Sequence, residues 1–204
     1  MQVSLANLLG LATIGRQNKR KWSVGFLAGL LPAGMLALHL YEERVVAKLP
    51  GHLTIVAVGK MRTPHWLAAQ NDYLARLPHY CNVDLIEVRD ALGSGLPETA
   101  ALQKEGDLLL KAAADCQRLI ALTPTGQHTT SENLAKFVSQ QLGRYGRIAF
   151  LIGGPLGFAP DVTQATHTQL ALSYLTFPHE LARVILLEQL YRAFTILNNE
   201  PYHK

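Results

Sequence analysis

The sequence predicts an α/β protein whose parallel sheet is covered by helices on both faces. From about residue 51, short apolar runs rich in β-branched residues alternate with longer stretches of helical period, and glycine or proline follows most runs. Strands that alternate with helices form parallel sheets, which bind ligands beyond the carboxyl ends of their strands. A composition with 49% hydrophobic and 17% charged residues excludes a disordered chain.

The pattern begins with a strand over 53–58, LTIVAV, which Gly59 closes. Thr63 is the predicted N-cap of the next helix, with Pro64 in its first turn, and Pro78 ends that helix. The next two predicted elements are a strand over 83–88 and a helix from Glu98 to about Asp115.

The second half of the pattern repeats this alternation. Thr123–Pro124 ends a predicted strand over 119–122, and Thr130 caps a predicted helix through Leu142. The remaining predicted elements are strands over 148–152 and 170–175, a short helix near 159–166, and a long helix from Pro178 to about Leu197.

The first fifty residues differ from the rest, so we predict an N-terminal extension over 1–50 and one domain over 51–204. The extension holds six basic and two acidic residues, whereas the rest holds thirteen of each and is neutral. Within the extension, Trp22–Tyr41 is an uncharged run long enough to cross a bilayer core. Three readings stay open: a membrane anchor, a targeting or accessory segment, and translation that starts downstream.

Charge and cysteine usage narrow the functional class. The zero net charge of residues 51–204 argues against a protein that coats nucleic acid through a uniform basic field. It is still compatible with a local basic patch. Cys81 and Cys116 form neither a CxxC pair nor a zinc pattern, which favours a reducing compartment and a cytoplasmic location.

Two motifs lie at predicted strand ends. The run LIGGPLG over 151–157 is typical of a loop that lets backbone approach a ligand, and equally of a tight strand-to-helix turn. His179 and Glu180 begin a near match to the zinc motif HExxH, but position 183 is Arg, so we reject a zinc site. The spacing leaves two interpretations of Arg183: a solvated side chain, or a partner of His179 that faces a ligand.

The C-terminal tail, NNEPYHK over 198–204, places an aromatic ring, an imidazole and a cation within three residues. Such groups can stack on a base, move a proton and bind phosphate. The alternative is an ordinary frayed end.

Several segments in this order resemble the RlmH family, which are small SPOUT-class enzymes that methylate N3 of a pseudouridine in large-subunit (23S) ribosomal RNA. The resemblance runs from about His52 to Lys204 and rests on these segments: LTIVAVGK over 53–60, Lys104-Glu-Gly106, LIGGPLG over 151–157, LSYLTFPHELARVILLEQLYRAF over 172–194, and the tail.

The resemblance implies a C-terminal trefoil knot (an alpha/beta knot), a homodimer, and S-adenosylmethionine (S-adenosyl-L-methionine) as cofactor, with no metal. It places the cofactor between three segments of the knot. The residues that it assigns to cofactor binding are Leu122, Gly153, Leu172, Ser173, Tyr174, Leu175, Thr176 and Phe177.

The chemistry requires alignment of an in-line methyl transfer and loss of a proton from the acceptor nitrogen. Tyr202, His203 and Arg183 are the candidate catalytic residues, without an assigned general base. The candidate substrate-binding residues are His179, Arg192 and Lys204. The implied substrate is ribosomal RNA, recognised by shape in an assembled ribosome.

Two other functions stay open from the residues alone. One is a nucleotide-binding oxidoreductase in which Glu87, at the end of the second strand, binds a ribose. The other is a membrane-anchored nucleotide-binding module without methyl transfer, built around residues 22–41.

Overall fold

The structure is a computed structural model that describes residues 48–203, with backbone alone for His203. The predicted extension therefore lies almost wholly outside the described residues. Within residues 48–203, five strands form one parallel sheet in the order β2-β1-β4-β3-β5. The strands are β1 (His52–Val58), β2 (Asn82–Val88), β3 (Arg118–His128), β4 (Arg147–Ile152) and β5 (Thr168–Ala171).

In the part of the chain that the structure describes, five helices connect or follow these strands. They are α1 (Pro64–Arg76), α2 (Glu98–Ala112), α3 (Ser131–Tyr145), α4 (Pro160–Ala165) and α5 (His179–Leu197). Short 3-10 turns follow α1 at Leu77–His79 and α5 at Pro201–His203. The predicted fold class is confirmed in its parallel sheet and helices.

Helices cover both faces of the sheet because the central strands are apolar on both sides. Successive side chains of a strand point to opposite faces, so Leu53 and Ile55 pack against α1, α3 and α5, while Val56 and Val58 pack against α2 and α4. All four of these β1 side chains are buried.

The predicted helix starts agree with the structure, although the two N-caps differ in chemistry. The Thr130 hydroxyl accepts a hydrogen bond from the Asn133 amide at 3.2 Å, as a capping side chain does. Thr63 occupies the N-cap position of α1 without a side-chain cap bond. Glu180 binds the amides there instead, from the far end of the sequence.

Two strands differ from their predicted lengths. Strand β3 continues to His128, with a shift in its pairing to β5 between Leu122 and Gln127. Strand β5 ends at Ala171, whereas the prediction continued to Leu175. The Ser173 hydroxyl accepts a hydrogen bond from the Leu175 amide at 3.0 Å, which turns the chain away from the sheet.

Candidate functional site

A cavity of about 530 Å³ lies at the carboxyl ends of β4 and β5 and beside the middle of β3, where that strand stops pairing with β4. Its walls come from Leu122–Pro124 at β3, from the loop after β4, from the segment between β5 and α5, and from the first turn of α5. This is the position at which open parallel sheets bind ligands, and the volume suits a small molecule.

Seven of the eight residues that the resemblance assigned to the cofactor line this cavity: Leu122, Gly153, Leu172, Ser173, Leu175, Thr176 and Phe177. Tyr174 does not line it. The Tyr174 side chain is 87% exposed, and its ring stacks on His128 with a centroid distance of 3.6 Å. The structure therefore brings the three predicted segments together, with Tyr174 on the outside.

The glycine loop after β4 is a tight turn that also forms part of the cavity wall. A Cβ atom on Gly153 would lie 2.5 Å from the Gly157 carbonyl oxygen, so closure of the loop itself requires glycine. The Gly157 amide donates to the Gly154 carbonyl at 3.0 Å, and Gly157 has a φ of +84°. The structure therefore confirms the tight turn and places it at the cavity, and the approach of a ligand to its backbone stays a prediction.

A buried carboxylate lies beneath this loop. A Cβ on Gly154 would lie 2.9 Å from Oε2 of Glu105, whose Oε1 accepts hydrogen bonds from the Ala91 and Leu92 amides at 2.9 and 3.3 Å. Burial raises the pKa of Glu105, and neighbouring Asp90 raises it further. Sequence reasoning assigned this residue no role, although it is the centre of the Lys104-Glu-Gly106 segment.

Arg183 requires a correction, because it is neither solvated nor directed into the cavity. Its side chain is 0% exposed, and its guanidinium donates to Glu87 at 2.6 Å and to the Gly59 carbonyl at 2.7 Å. Further contacts join it to Gln70 and to the Val58 carbonyl. One turn into α5, this face of the helix meets the ends of β1 and β2. In this structure Arg183 therefore joins α5 to the ends of β1 and β2 and does not line the cavity.

The same contacts remove the support for the oxidoreductase alternative. Glu87 lies on β2, which β1 separates from the strands that form the cavity. Its Oε1 accepts hydrogen bonds from Arg183 and, at 3.0 Å, from the Met61 amide. This geometry rules out Glu87 as a ribose ligand in the cavity.

His179 and Glu180, the first residues of α5, point to different neighbours. His179 lines the cavity. The Glu180 carboxylate accepts hydrogen bonds from the amides of Arg62 and Thr63 at 2.7 and 3.3 Å. The Thr63 hydroxyl and these amides lower the pKa of Glu180. The near match to HExxH is thus a junction between α5 and the start of α1.

The tail is docked on α5, so the frayed-end interpretation is wrong for the described residues 198–203. The Tyr202 hydroxyl donates to Glu188 at 3.3 Å, and its ring lies 5.1 Å beneath the Arg192 guanidinium. Glu188 also accepts two hydrogen bonds from Arg192, at 2.9 and 2.7 Å. Tyr80 donates to Glu200 at 2.7 Å, which ties the tail to the domain. Lys204 lies outside the described residues.

The cavity lies at the first turn of α5, whereas the tail docks on the middle and second half of this helix. Glu188 and Arg192 follow His179 by nine and thirteen residues, or about 13 and about 20 Å along the helix. The structure therefore does not bring Tyr202 to the cavity of its own chain. Arg192, predicted to bind substrate, belongs with the tail.

No helix within the described residues 48–203 is long and apolar enough to cross a membrane. The run over 22–41, on which the membrane interpretations depend, lies outside the described residues.

Residues 52–203 match a family model described as "Predicted SPOUT methyltransferase". Relatives named ribosomal RNA large subunit methyltransferase H include those of Clostridium kluyveri, 40% identical over 159 residues, and Clostridium botulinum, 41% identical over 161 residues. Each alignment covers 75% of this chain and 99% of the relative. A solved structure of a probable methyltransferase from Bordetella pertussis is 14% identical with a TM-score of 0.48, covering 71% of this chain and 96% of that chain. A similarity this distant adds nothing about function.

Proposed function

The chain belongs to the SPOUT methyltransferase family, and from this premise we propose that it methylates N3 of a pseudouridine in large-subunit ribosomal RNA, with S-adenosylmethionine as cofactor. The target RNA class follows the names of relatives that are matched over 99% of their length. We extend the proposal to the assembled ribosome, because a neutral domain suits recognition of a preformed shape. We also propose a cytoplasmic location, because Cys81 and Cys116 form neither a CxxC pair nor a zinc pattern.

The observation that carries this proposal is the cavity beside the middle of β3 and at the carboxyl ends of β4 and β5. Its side chains fit the cofactor: Leu122, Leu172 and Phe177 offer apolar surface to an adenine ring, and the hydroxyls of Ser173 and Thr176 offer polar contacts. Within the described residues, none that line the cavity is Asp, Glu, Lys or Arg. When bound, the cofactor supplies a methyl group already activated on a sulfonium.

This chain's residues would then align the acceptor base and help its N3 lose a proton. His179, in the cavity wall, is the candidate contact to the substrate within the same chain. Tyr202 and His203 are the candidates for stacking and proton handling, and Lys204 for phosphate. The alignment itself accounts for a large part of such a barrier, on the order of 7–11 kcal/mol.

We propose that the enzyme is a homodimer whose composite site combines the cavity of one chain with the tail of its partner. The separation of Tyr202 from its own cavity along α5 supports this arrangement. Leu175, which lines the cavity and is 72% exposed, and Tyr174 beside it offer apolar surface at the same rim. A two-fold dimer repeats any such contact on both chains.

We also propose the trefoil knot of the family for the segment between β5 and α5. The support for it is the family to which the chain belongs. In the structure, Gly126 lies within β3 where the pairing with β5 shifts, and a Cβ there would lie 2.5 Å from the carbonyl carbon of Leu170.

Mass spectrometry of ribosomal RNA tests the activity. RNA from cells that contain this protein should carry an N3-methylated pseudouridine that is absent when its gene is deleted, and the purified protein should restore the mark with S-adenosylmethionine. Ala182→Phe, which places a large side chain in the cavity wall, should abolish the restoration. An unchanged RNA mass in the deletion strain contradicts the proposal.

Co-expression of two inactive variants tests the composite site. One chain lacks residues 201–204, the other carries Ala182→Phe, and different tags allow purification of the mixed dimer. If the tail acts on the partner's cavity, one of the two sites is intact and about half of the wild-type activity returns. If the tail acts on its own chain, both sites stay defective and no activity returns.

A further inference from the structure

The turn over Gly59–Thr63, between β1 and α1, presents two cationic side chains to solvent. Lys60 and Arg62 are exposed, whereas Met61 between them is buried. We call this segment the basic turn. It is a local exception in a domain that is neutral overall.

Buried or hydrogen-bonded side chains from distant elements fix the backbone of the basic turn. Arg183 donates to the Gly59 carbonyl at 2.7 Å, and Glu87 accepts from the Met61 amide at 3.0 Å. Glu180 accepts from the amide of Arg62 at 2.7 Å. Strand β2 and helix α5 thus hold successive residues of the turn.

The carboxylates nearest the basic turn do not neutralise its two side chains. Glu87 binds Arg183 and an amide, and Glu180 binds amides. Asp90, whose Cβ would lie 3.9 Å from a Cβ on Gly59, accepts a hydrogen bond from the Leu92 amide at 2.8 Å. Within the described part of the chain, the side chains of Lys60 and Arg62 make neither a hydrogen bond nor an ion pair. Both charges therefore remain available to an anionic partner.

The basic turn adjoins the cavity. A Cβ on Gly59 would lie 3.9 Å from Nε2 of His179, and His179 lines the cavity. Any RNA whose base enters the cavity must pass its flanking backbone over the rim, where Lys60 directly follows Gly59. Lysine and arginine are the residues that bind such phosphates.

We propose that Lys60 and Arg62 bind backbone phosphates of the RNA substrate beside the nucleotide whose base enters the cavity. This inference rests on the proposed function for the identity of the substrate. Under it, Glu87, Glu180 and Arg183 act through the backbone of the turn, and within the turn itself Lys60 and Arg62 contact the RNA.

The test compares Lys60→Gln/Arg62→Gln with a matched control, Lys111→Gln/Arg147→Gln. The control removes the same charge at the amino ends of the strands, away from the cavity, where α2 ends and β4 begins. Three quantities are measured: kcat and KM for methyl transfer to large ribosomal subunits, the salt dependence of binding to a labelled uridine 20-mer, and affinity for S-adenosylmethionine.

The turn variant should raise KM about tenfold and leave kcat and cofactor affinity within about twofold. Two lost phosphate contacts should lower the slope of log affinity against log salt for the 20-mer by about 1.4. The control variant should change neither quantity. A turn variant that matches the control in KM and salt slope overturns the inference. If the wild type methylates no subunits, the proposed function fails, and the salt slope still decides whether the turn binds RNA.

Discussion

Replacement of Arg183 by methionine tests whether this residue holds the fold or meets the substrate. The change removes a guanidinium that is 0% exposed and leaves Glu87, Gln70 and the Gly59 carbonyl without their partner. Removal of one member of a buried pair costs roughly 3–5 kcal/mol of unfolding free energy. The Glu87 side chain is 26% exposed and can recover some hydration, so we expect the lower end, about 3 kcal/mol.

Arg192→Met is the matched control, because Arg192 lies on the same helix and pairs with Glu188 at 2.7 Å on a partly exposed surface. Such pairs contribute up to about 1 kcal/mol. For a domain of this size, about 3 kcal/mol lowers Tm by roughly 6–12 °C, against a few degrees for the control. Urea unfolding and thermal melts of the three proteins measure both quantities.

A loss of stability in Arg183→Met no greater than that in Arg192→Met refutes the positioning role. A catalytic, solvated arginine makes the opposite prediction: turnover falls while Tm stays unchanged. The double variant Arg183→Met/Glu87→Leu adds a further check. It also removes the carboxylate that Arg183→Met leaves unpaired, and it should recover part of the lost stability. Replacement of both partners by apolar residues lowers the unfolding free energy less than one unpaired buried charge does.

Four other outcomes are expected. Calorimetry should give micromolar affinity for S-adenosylmethionine, about −8 kcal/mol, without divalent metal, and Gly153→Val should abolish it. A chain truncated to residues 51–204 should fold, dimerise by light scattering and transfer methyl groups at the full-length rate. Deletion of 201–204 should leave cofactor affinity within a few-fold and lower single-turnover methylation about 100-fold. Burial holds the pKa of Glu105 above its ordinary 4.5. At pH values between 4.5 and the raised pKa, the folded chain therefore binds a proton that the unfolded chain does not. The unfolding free energy of the wild type relative to Glu105→Gln, from urea titrations, should therefore rise as pH falls from neutral toward 4.5.

Local signals account for most of the secondary structure. Strand β1 was predicted almost residue for residue because its apolar run is closed by a glycine, and α3 because Thr130 has the chemistry of a cap. The end of β5 was missed because the segment after Ala171 keeps an apolar composition while it leaves the sheet. Its turn depends on one serine hydroxyl, which a hydrophobic pattern does not reveal.

The segments that form the candidate site could be predicted from the sequence, but the directions in which their side chains point could not. The resemblance identified the three strand ends, but the sheet order that makes β3, β4 and β5 neighbours is not a local property of the sequence. Helical spacing placed Arg183 one turn after His179 without indicating which way that face points. The answer depends on where α5 crosses the ends of β1 and β2, more than ninety residues earlier in the chain.

The charged residues of α5 have roles that are difficult to infer from the sequence, because they are few and widely spaced on the helix. The helix is mostly apolar, and its middle packs into the core through Leu186, Leu187 and Leu190. Its charges occur near the first turns, where Glu180 and Arg183 join the basic turn, and further along, where Glu188 and Arg192 hold the tail. The charges on this helix therefore lie where α5 contacts other segments of the chain. The helix keeps those two groups of contacts apart, and this separation is the reason for proposing a composite site in which the tail acts on the cavity of a second chain.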